Sequence, residues 1–110
     1  MTQITALNRY GYYAVEAPQL DDVLVQLENG ARPDILVIDL RLMAAAARSL
    51  IEILRRDDSL TQMSIITVDA TAEDSERMRE LPPGWINACL KRPTGIEELI
   101  DTVRAHAVHA

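Results

Sequence analysis

Acidic and basic side chains stand directly after three apolar stretches of this sequence. Asp39 and Asp69 each follow an apolar run, and the pair Lys91-Arg92 follows a third. If the three runs are parallel strands, their carboxyl ends share one edge of a sheet, and these side chains converge there. Two carboxylates beside two cations predict a small polar site. Asp39 and Asp69 are the candidates for holding a metal ion, or either can pair with the neighbouring cations.

The pattern of apolar residues predicts the elements that would position this site. Predicted strands cover 13–17, 35–38, 64–68 and 86–90. Amphipathic helical segments separate them, and Thr71, with Asp74 three residues later, forms a capping-box pattern at the start of one. The run at 35–38 has no polar alternation, which is typical of a strand in the middle of a parallel sheet. Strands that alternate with helices predict an α/β fold over residues 1–110, as a single domain.

Composition narrows the class of function. Seventeen acidic residues against 11 basic ones give a formal net charge of −6, which argues against binding nucleic acid. The single cysteine, Cys89, excludes an internal disulfide and favours the cytoplasm. No apolar run approaches the length that crosses a bilayer, so we expect no membrane segment. No Ser-His-Asp set or glycine-rich phosphate loop is present, and we do not expect an enzyme.

Several segments together resemble the receiver domains of two-component response regulators. They are Gly11-Tyr12, the run from Pro33 to Leu40, Arg56-Asp57, Met63 to Ile66, Cys89 to Pro93, and Glu98-Leu99. The resemblance runs from about Gly11 to the end of the chain and rests on order and spacing. It implies a flavodoxin-like parallel sheet with helices on both faces, and signal transduction in a phosphorelay. The implied partner is a histidine kinase or another signalling protein.

The resemblance also implies roles for the residues at the strand ends. Asp39 takes the place of the phosphoryl-accepting aspartate. The lysine that pairs with the phosphoryl oxygens is matched by Arg92 when Pro93 is the anchor, or by Lys91 when the count starts from Gly84. Asp69 stands where the family has a serine or threonine that reads the phosphoryl charge. Thr71 is the nearest hydroxyl that could replace it.

The amino end departs from the family pattern. The first strand and its acidic pair, which would hold Mg²⁺ together with the acceptor, should precede Gly11, but the ten residues there contain no aspartate or glutamate. We therefore expect the first strand to be missing or replaced, with Asp39 and Asp69 as the remaining candidates for Mg²⁺. Residues 3–7 are either the end of a helix or a strand. Three alternatives can account for the gap: a second copy fills it and makes a homodimer, the remaining strands re-pair, or the sequence is a fragment.

Two functional hypotheses follow from these departures. In the first, the chain is a phosphorelay receiver with Asp39 as acceptor. In the second, it is a pseudo-receiver that acts as a protein-interaction or dimerisation module without phosphorylation. The alanine run 44–47 favours a helix that begins early and closes over the site. Trp85 is expected to be half-buried, and Cys89 to be a small core residue.

Overall fold

The computed structural model describes residues 3–14 and 17–107, which form a parallel sheet with helices packed on both faces. In chain order the elements are α1 (Gln3–Arg9), α2 (Leu20–Glu28), β1 (Ile35–Asp39), α3 (Leu40–Arg55), a short 3₁₀ turn (Asp58–Leu60), β2 (Ser64–Ala70), α4 (Ala72–Arg79), β3 (Ala88–Lys91) and α5 (Ile96–His106). The predicted α/β class and the order of these helices and strands from α2 onward are confirmed. Within the described part of the chain, no helix is both long and apolar enough to span a bilayer.

β2 is the central strand of the described sheet. It pairs in parallel with β1 on one side and β3 on the other. Every residue from Ile65 to Ala70 is buried, and the β-branched run Ile65–Val68 suits a strand covered on both faces. The prediction that 35–38 lies in the middle of the sheet is wrong for the described residues. There β1 pairs only with β2, and Ile38 is its one buried residue.

Two apolar clusters cover the two faces of the sheet. Side chains alternate along β2, so that Ile65 enters the cluster formed with α2, α3 and α4, whereas Ile66 enters the cluster formed with α1 and α5. Leu50 and Ile51 of α3 are fully buried in the larger cluster. The sheet is therefore held from both sides, and its strand ends form the edge where the polar residues collect.

The amino-terminal part of the chain is a helix. Of the two alternatives for residues 3–7, the helical one is confirmed, and α1 buries Ala6 and Leu7 against α5 and β2. The predicted strand at 13–17 is wrong where the structure describes it, because Tyr13, Ala14 and Ala17 belong to no strand, and residues 15 and 16 lie outside the described part. Thus no described residue from this segment joins the sheet.

The last strand begins later than predicted, at Ala88, because Asn87 bonds to β2 partly through its side chain. The Asn87 carboxamide oxygen accepts from the Ile65 backbone N–H at 2.8 Å, and the Asn87 N–H donates to the Ile65 carbonyl at 2.8 Å. Arg55 reinforces this junction by donating to the Trp85 carbonyl at 2.9 Å and to the Asn87 side chain at 3.3 Å. Trp85 is half-buried, as predicted, and packs with Cys89 against the larger cluster.

Replacing Leu50 by alanine tests the larger cluster. Leu50 is fully buried, whereas Leu42 on the same helix is 67% exposed. We expect Leu50→Ala to lower the free energy of unfolding by about 2–5 kcal/mol, and the matched Leu42→Ala to change it by less than about 0.5 kcal/mol. Urea denaturation followed by circular dichroism measures both. Equal effects would contradict the assignment of the core to this face of α3.

Candidate functional site

The carboxyl ends of β1 and β2 bring Asp39 and Asp69 together, as the sequence predicts. Asp39 is the last residue of β1 and lies opposite Val68 of β2, so Asp69 is the next residue along the neighbouring strand. Asp69 has a positive φ of 55°, a conformation that aspartate tolerates better than most residues. It lies within the register shift between Thr67 and Ala70, where β2 departs from regular pairing with β3.

Asp39 caps the helix that follows it. α3 begins at Leu40 with no intervening loop, and an Asp39 carboxylate oxygen, Oδ1, accepts from the Arg41 backbone N–H at 2.9 Å. Such a cap satisfies one of the unpaired N–H groups at a helix amino end. The early start expected from the alanine run is confirmed, and non-helical torsion angles at Met43 (φ −127°, ψ 21°) set the first turn apart from the rest of α3.

Arg41 bridges the two carboxylates. Its terminal nitrogen Nη2 lies 3.1 Å from Asp39 Oδ2, and its Nε lies 3.4 Å from both Asp39 Oδ1 and Asp69 Oδ2. The Asp39 and Asp69 side chains are only 17% and 8% exposed, while the arginine lies over them at 57%. The hydrogen bond to Asp39, followed by the charges of Asp39 and Asp69, raises the pKa of Arg41.

The sequence analysis did not single out Arg41. The available signal was an arginine placed two residues after a potential N-cap aspartate, close enough to fold back onto it. That signal has meaning only if the helix begins directly at the strand end. The bridge Asp39–Arg41–Asp69 is called the arginine bridge below.

Asp69 also fixes the loop after β3. The Thr94 N–H donates to Asp69 Oδ1 at 3.0 Å, and the Asp69 N–H donates to Thr94 Oγ1 at 2.9 Å. The Thr94 hydroxyl in turn donates to the Lys91 carbonyl at 3.0 Å. These reciprocal bonds occupy the oxygen of Asp69 that does not face Arg41. The Asp69 carboxylate therefore has a structural role at the position where the family resemblance would place a hydroxyl.

The two basic candidates lie away from Asp39. Among the described residues, neither Lys91 nor Arg92 forms an ion pair with a carboxylate within 4.0 Å, and Arg92 instead donates from Nε to the Asp69 backbone carbonyl at 3.1 Å. Together with Thr71 they line a groove beside α4. The structure therefore brings Asp39 and Asp69 to one site, with Arg41, and places the other three candidates in the adjoining groove.

Thr71 forms the predicted capping box. Its hydroxyl oxygen accepts from the Asp74 N–H at 3.1 Å, and Asp74 Oδ2 accepts from the Thr71 N–H at 3.0 Å. α4 accordingly starts at Ala72, and it ends at Arg79.

The residues present do not fit a resident divalent cation. Within the described ranges, no group of three or more His, Cys, Asp or Glu side chains is arranged to hold a metal ion. The two carboxylates that converge are already bound by Arg41 and, for Asp69, by Thr94. A hard cation such as Mg²⁺ needs several oxygen ligands in near-octahedral geometry, and here a guanidinium takes the place between the carboxylates.

Comparison with known proteins identifies similar response regulators. The chain is 26% identical over 99 residues to the phosphate regulon transcriptional regulatory protein PhoB of Klebsiella pneumoniae. The aligned residues make up 90% of this chain but 42% of PhoB. It is 29% identical over 84 residues to the polar-differentiation response regulator DivK of Brucella anthropi, covering 74% of the chain and 66% of DivK. The chain thus spans less than half the length of the PhoB protein it matches. No family model matches it.

Comparison of structures gives the same fold. The signal receiver domain of a protein assigned as a Luxo repressor from Vibrio parahaemolyticus superposes with a TM-score of 0.73 at 15% identity, over 94% of this chain and 77% of that one. Together with the sequence similarities, this match confirms the resemblance to receiver domains and the flavodoxin-like fold class. The described sheet has three parallel strands.

The stability of Asp39 variants shows whether the Asp39 carboxylate stabilises the fold or is held there at a cost in stability. We expect Asp39→Ala to lower the free energy of unfolding by about 1 kcal/mol because the cap on α3 is lost, whereas Asp39→Asn, an equally good N-cap, keeps most of it. Denaturation in urea without any phosphoryl donor measures this. An alanine variant at least as stable as the parent would show that the carboxylate does not stabilise the helix.

The capping box predicts acid sensitivity. The hydrogen bond from the Thr71 N–H is the main cause that lowers the pKa of Asp74, and it outweighs the effect of burial. Because the folded-state pKa lies below the ordinary value, the stabilisation is complete above about pH 4 and is lost as the pH falls through the folded-state pKa. Asp74→Asn should therefore be less stable than the parent at pH 7, and this difference should shrink at pH 3. Denaturation curves at both pH values test this, and a difference that does not depend on pH would contradict it.

Proposed function

We propose that this chain, a receiver-type domain by its fold and by its similarity to response regulators, transmits signals through contacts with another protein and does not accept a phosphoryl group at Asp39. The observation that carries the proposal is the arginine bridge, in which Arg41 holds both strand-end carboxylates. The domain is then a signalling module and not an enzyme. Its partner is a histidine kinase or another signalling protein.

The first support is the state of the Asp39 carboxylate. A carboxylate nucleophile needs an oxygen lone pair directed at the phosphorus atom. Oδ1 of Asp39 accepts from the Arg41 backbone at 2.9 Å, and Oδ2 is paired with the Arg41 guanidinium at 3.1 Å. Attack would require Asp39 to give up these charge-assisted bonds and the cap on α3 at the same time.

The second support is the handling of charge. Phosphoryl transfer relies on cations that neutralise the equatorial oxygens of the transferred group. The described carboxylates do not form a metal site, and the Arg92 Nε is committed to the Asp69 carbonyl. The cation at the strand ends is Arg41, and its charge neutralises Asp39 and Asp69 instead of an incoming phosphoryl group. Little positive charge is left at Asp39 to receive an incoming phosphoryl group.

The third support concerns the response to phosphorylation. A hydroxyl that donates to a phosphoryl oxygen can draw a loop toward it, but an ionised carboxylate has no proton to donate. Asp69 occupies that position and is bonded to Thr94 instead. The Thr71 hydroxyl is engaged in the capping box of α4. A phosphoryl group on Asp39 would meet the negative charge of Asp69, and no hydroxyl in the described part of the chain is placed to donate to it.

A second candidate function, a phosphorelay receiver with Asp39 as acceptor, has two observations in its favour. Asp39 lies at the carboxyl end of β1, and 17% of its side-chain surface is exposed to a small phosphoryl donor. Similarity to the response regulators PhoB and DivK favours the same candidate.

Self-association at the outer edge of β1, which pairs with no described strand, stays a prediction that analytical ultracentrifugation can test.

Intact mass after incubation with acetyl phosphate and Mg²⁺ separates the two candidates. We expect no gain of a phosphoryl group in the folded parent and none in Asp39→Asn. The asparagine variant is a suitable control because it preserves the helix cap. A gain in the parent alone would overturn the proposal and make Asp39 an acceptor.

A matched pair of arginine variants sharpens this test. Arg41→Ala removes the arginine bridge, whereas Arg48→Ala removes an exposed arginine of the same helix that pairs with Glu52 and Glu80. We expect neither variant to gain a phosphoryl group, because the described His, Cys, Asp and Glu side chains form no metal site in either. A gain in Arg41→Ala alone would mean that Arg41 masks a competent acceptor, and would favour the second candidate.

A further inference from the structure

A groove of about 390 Å³ lies between α4 and the carboxyl end of β3, and three basic side chains line it. Arg79 comes from α4, and Lys91 and Arg92 come from the end of β3. The rest of the polar lining consists of Thr71, Ser75 and one acidic residue, Glu76. We propose that this basic groove binds a phosphate group carried by a small molecule. The proposal goes beyond the signalling function above and does not depend on it, since Asp39 is not part of the groove.

The distribution of charge is the first argument. The chain as a whole has a formal net charge of −6, yet three cations and one carboxylate face this one groove. Within the described residues, the side chains of Arg79 and Lys91 form neither an ion pair nor a hydrogen bond. By contrast Arg77, on the same helix as Arg79, lies within 4.0 Å of Glu73 and Asp74. Like charges that converge without partners repel one another, and a bound anion relieves that repulsion.

The donor geometry is the second argument. Arg92 is held by the bond from its Nε to the Asp69 carbonyl at 3.1 Å, so both of its terminal nitrogens are left for a ligand, in the planar arrangement that suits phosphate. The Thr71 hydroxyl is already bonded to Asp74 in the capping box, so Arg92 supplies the donors that are free for a ligand. The bonds between Asp69 and Thr94 fix the segment to which Arg92 is bonded, and this holds the Arg92 donors in place before any ligand arrives.

The size and the balance of charge favour a compact phosphate group. Three cations and the carboxylate of Glu76 line the groove. Besides the hydrogen bond from the Thr71 N–H, the charge of Arg92 also lowers the pKa of the neighbouring Asp74. The positive charge that remains in excess suits a phosphate anion. The volume of about 390 Å³ lies near the lower end of the range for small-molecule pockets. Among the described lining residues there is no aromatic ring on which a nucleobase could stack. The shared chemistry is thus a phosphate or diphosphate group, not a base.

The single lysine of the chain provides the test. Lys91 and the α-amine are the only amines, so acylation with an N-hydroxysuccinimide ester labels two sites, and peptide mapping separates them. We expect pyrophosphate, titrated against sodium chloride at constant ionic strength, to slow the acylation of Lys91 in a saturable way. The α-amine serves as the internal reference and should react at an unchanged rate. Inorganic phosphate should act in the same way at higher concentration.

Variants of α4 test whether pyrophosphate slows the acylation of Lys91 by binding in the groove. Arg79→Ala should weaken pyrophosphate binding about tenfold, since one charge-assisted hydrogen bond is lost, while the matched Arg77→Ala should bind like the parent. Glu76→Gln should bind about two- to threefold more tightly. The three positions are exposed, and circular dichroism confirms folding. Equal protection in Arg79→Ala and Arg77→Ala would overturn the proposal. Protection by a hexaglutamate peptide but not by pyrophosphate would also overturn it, and would assign the groove to an acidic protein segment.

Discussion

The ends of two neighbouring strands carry carboxylates, and their repulsion is the constraint around which this part of the molecule is built. Arg41 neutralises Asp39 and Asp69 at 3.1 and 3.4 Å. To reach both, it must lie in the first turn of a helix that begins where β1 ends. The immediate start of α3, the non-helical residue at Met43 and the burial of Asp69 are parts of one arrangement. The Arg41 side chain is 57% exposed, so water screens these ion pairs and limits the stability that they add, but the arginine bridge fixes the order of strand, cap and helix.

The same aspartates satisfy backbone donors, and this commits them further to structure. Asp39 caps α3, and Asp69 accepts from the Thr94 N–H while its own N–H donates to the Thr94 hydroxyl. A carboxylate that is hydrogen-bonded on both oxygens has fewer lone pairs available to attack phosphorus. Lys91 and Arg92 line the groove beside α4 and form no ion pair with Asp39 among the described residues. Because Arg41 pairs with both carboxylates, the positive charge of Lys91 and Arg92 stays in that groove.

Most of the architecture could be predicted from the sequence because burial leaves a strong pattern. Runs such as Ile65–Val68, and the Thr71–Asp74 box, predict a strand and a helix start that the structure confirms. The edge position of 35–38 could not be predicted, since an apolar run reports burial but not how many neighbours a strand has. The later start of β3 could not be predicted either, because Asn87 bonds to β2 through its side chain, and the pattern of apolar residues does not indicate such a bond. At the site, the convergence of Asp39 and Asp69 follows from strand order alone. The role of Arg41 depends on where a helix begins to within one residue, which propensities do not resolve.

Similarity in fold is compatible with the proposed absence of acceptor chemistry because the two depend on different atoms. A TM-score of 0.73 at 15% identity means that the backbone path is retained while most side chains differ. Packing of the sheet depends on β2 and the faces of α3 and α5, none of which requires a reactive aspartate. Phosphoryl transfer depends on a few oxygen and nitrogen atoms within about 3 Å of one another, and a guanidinium placed between two carboxylates is sufficient to occupy them. A receiver-type fold can therefore keep the surfaces that meet a partner while its strand-end residues serve as internal ion pairs and helix caps.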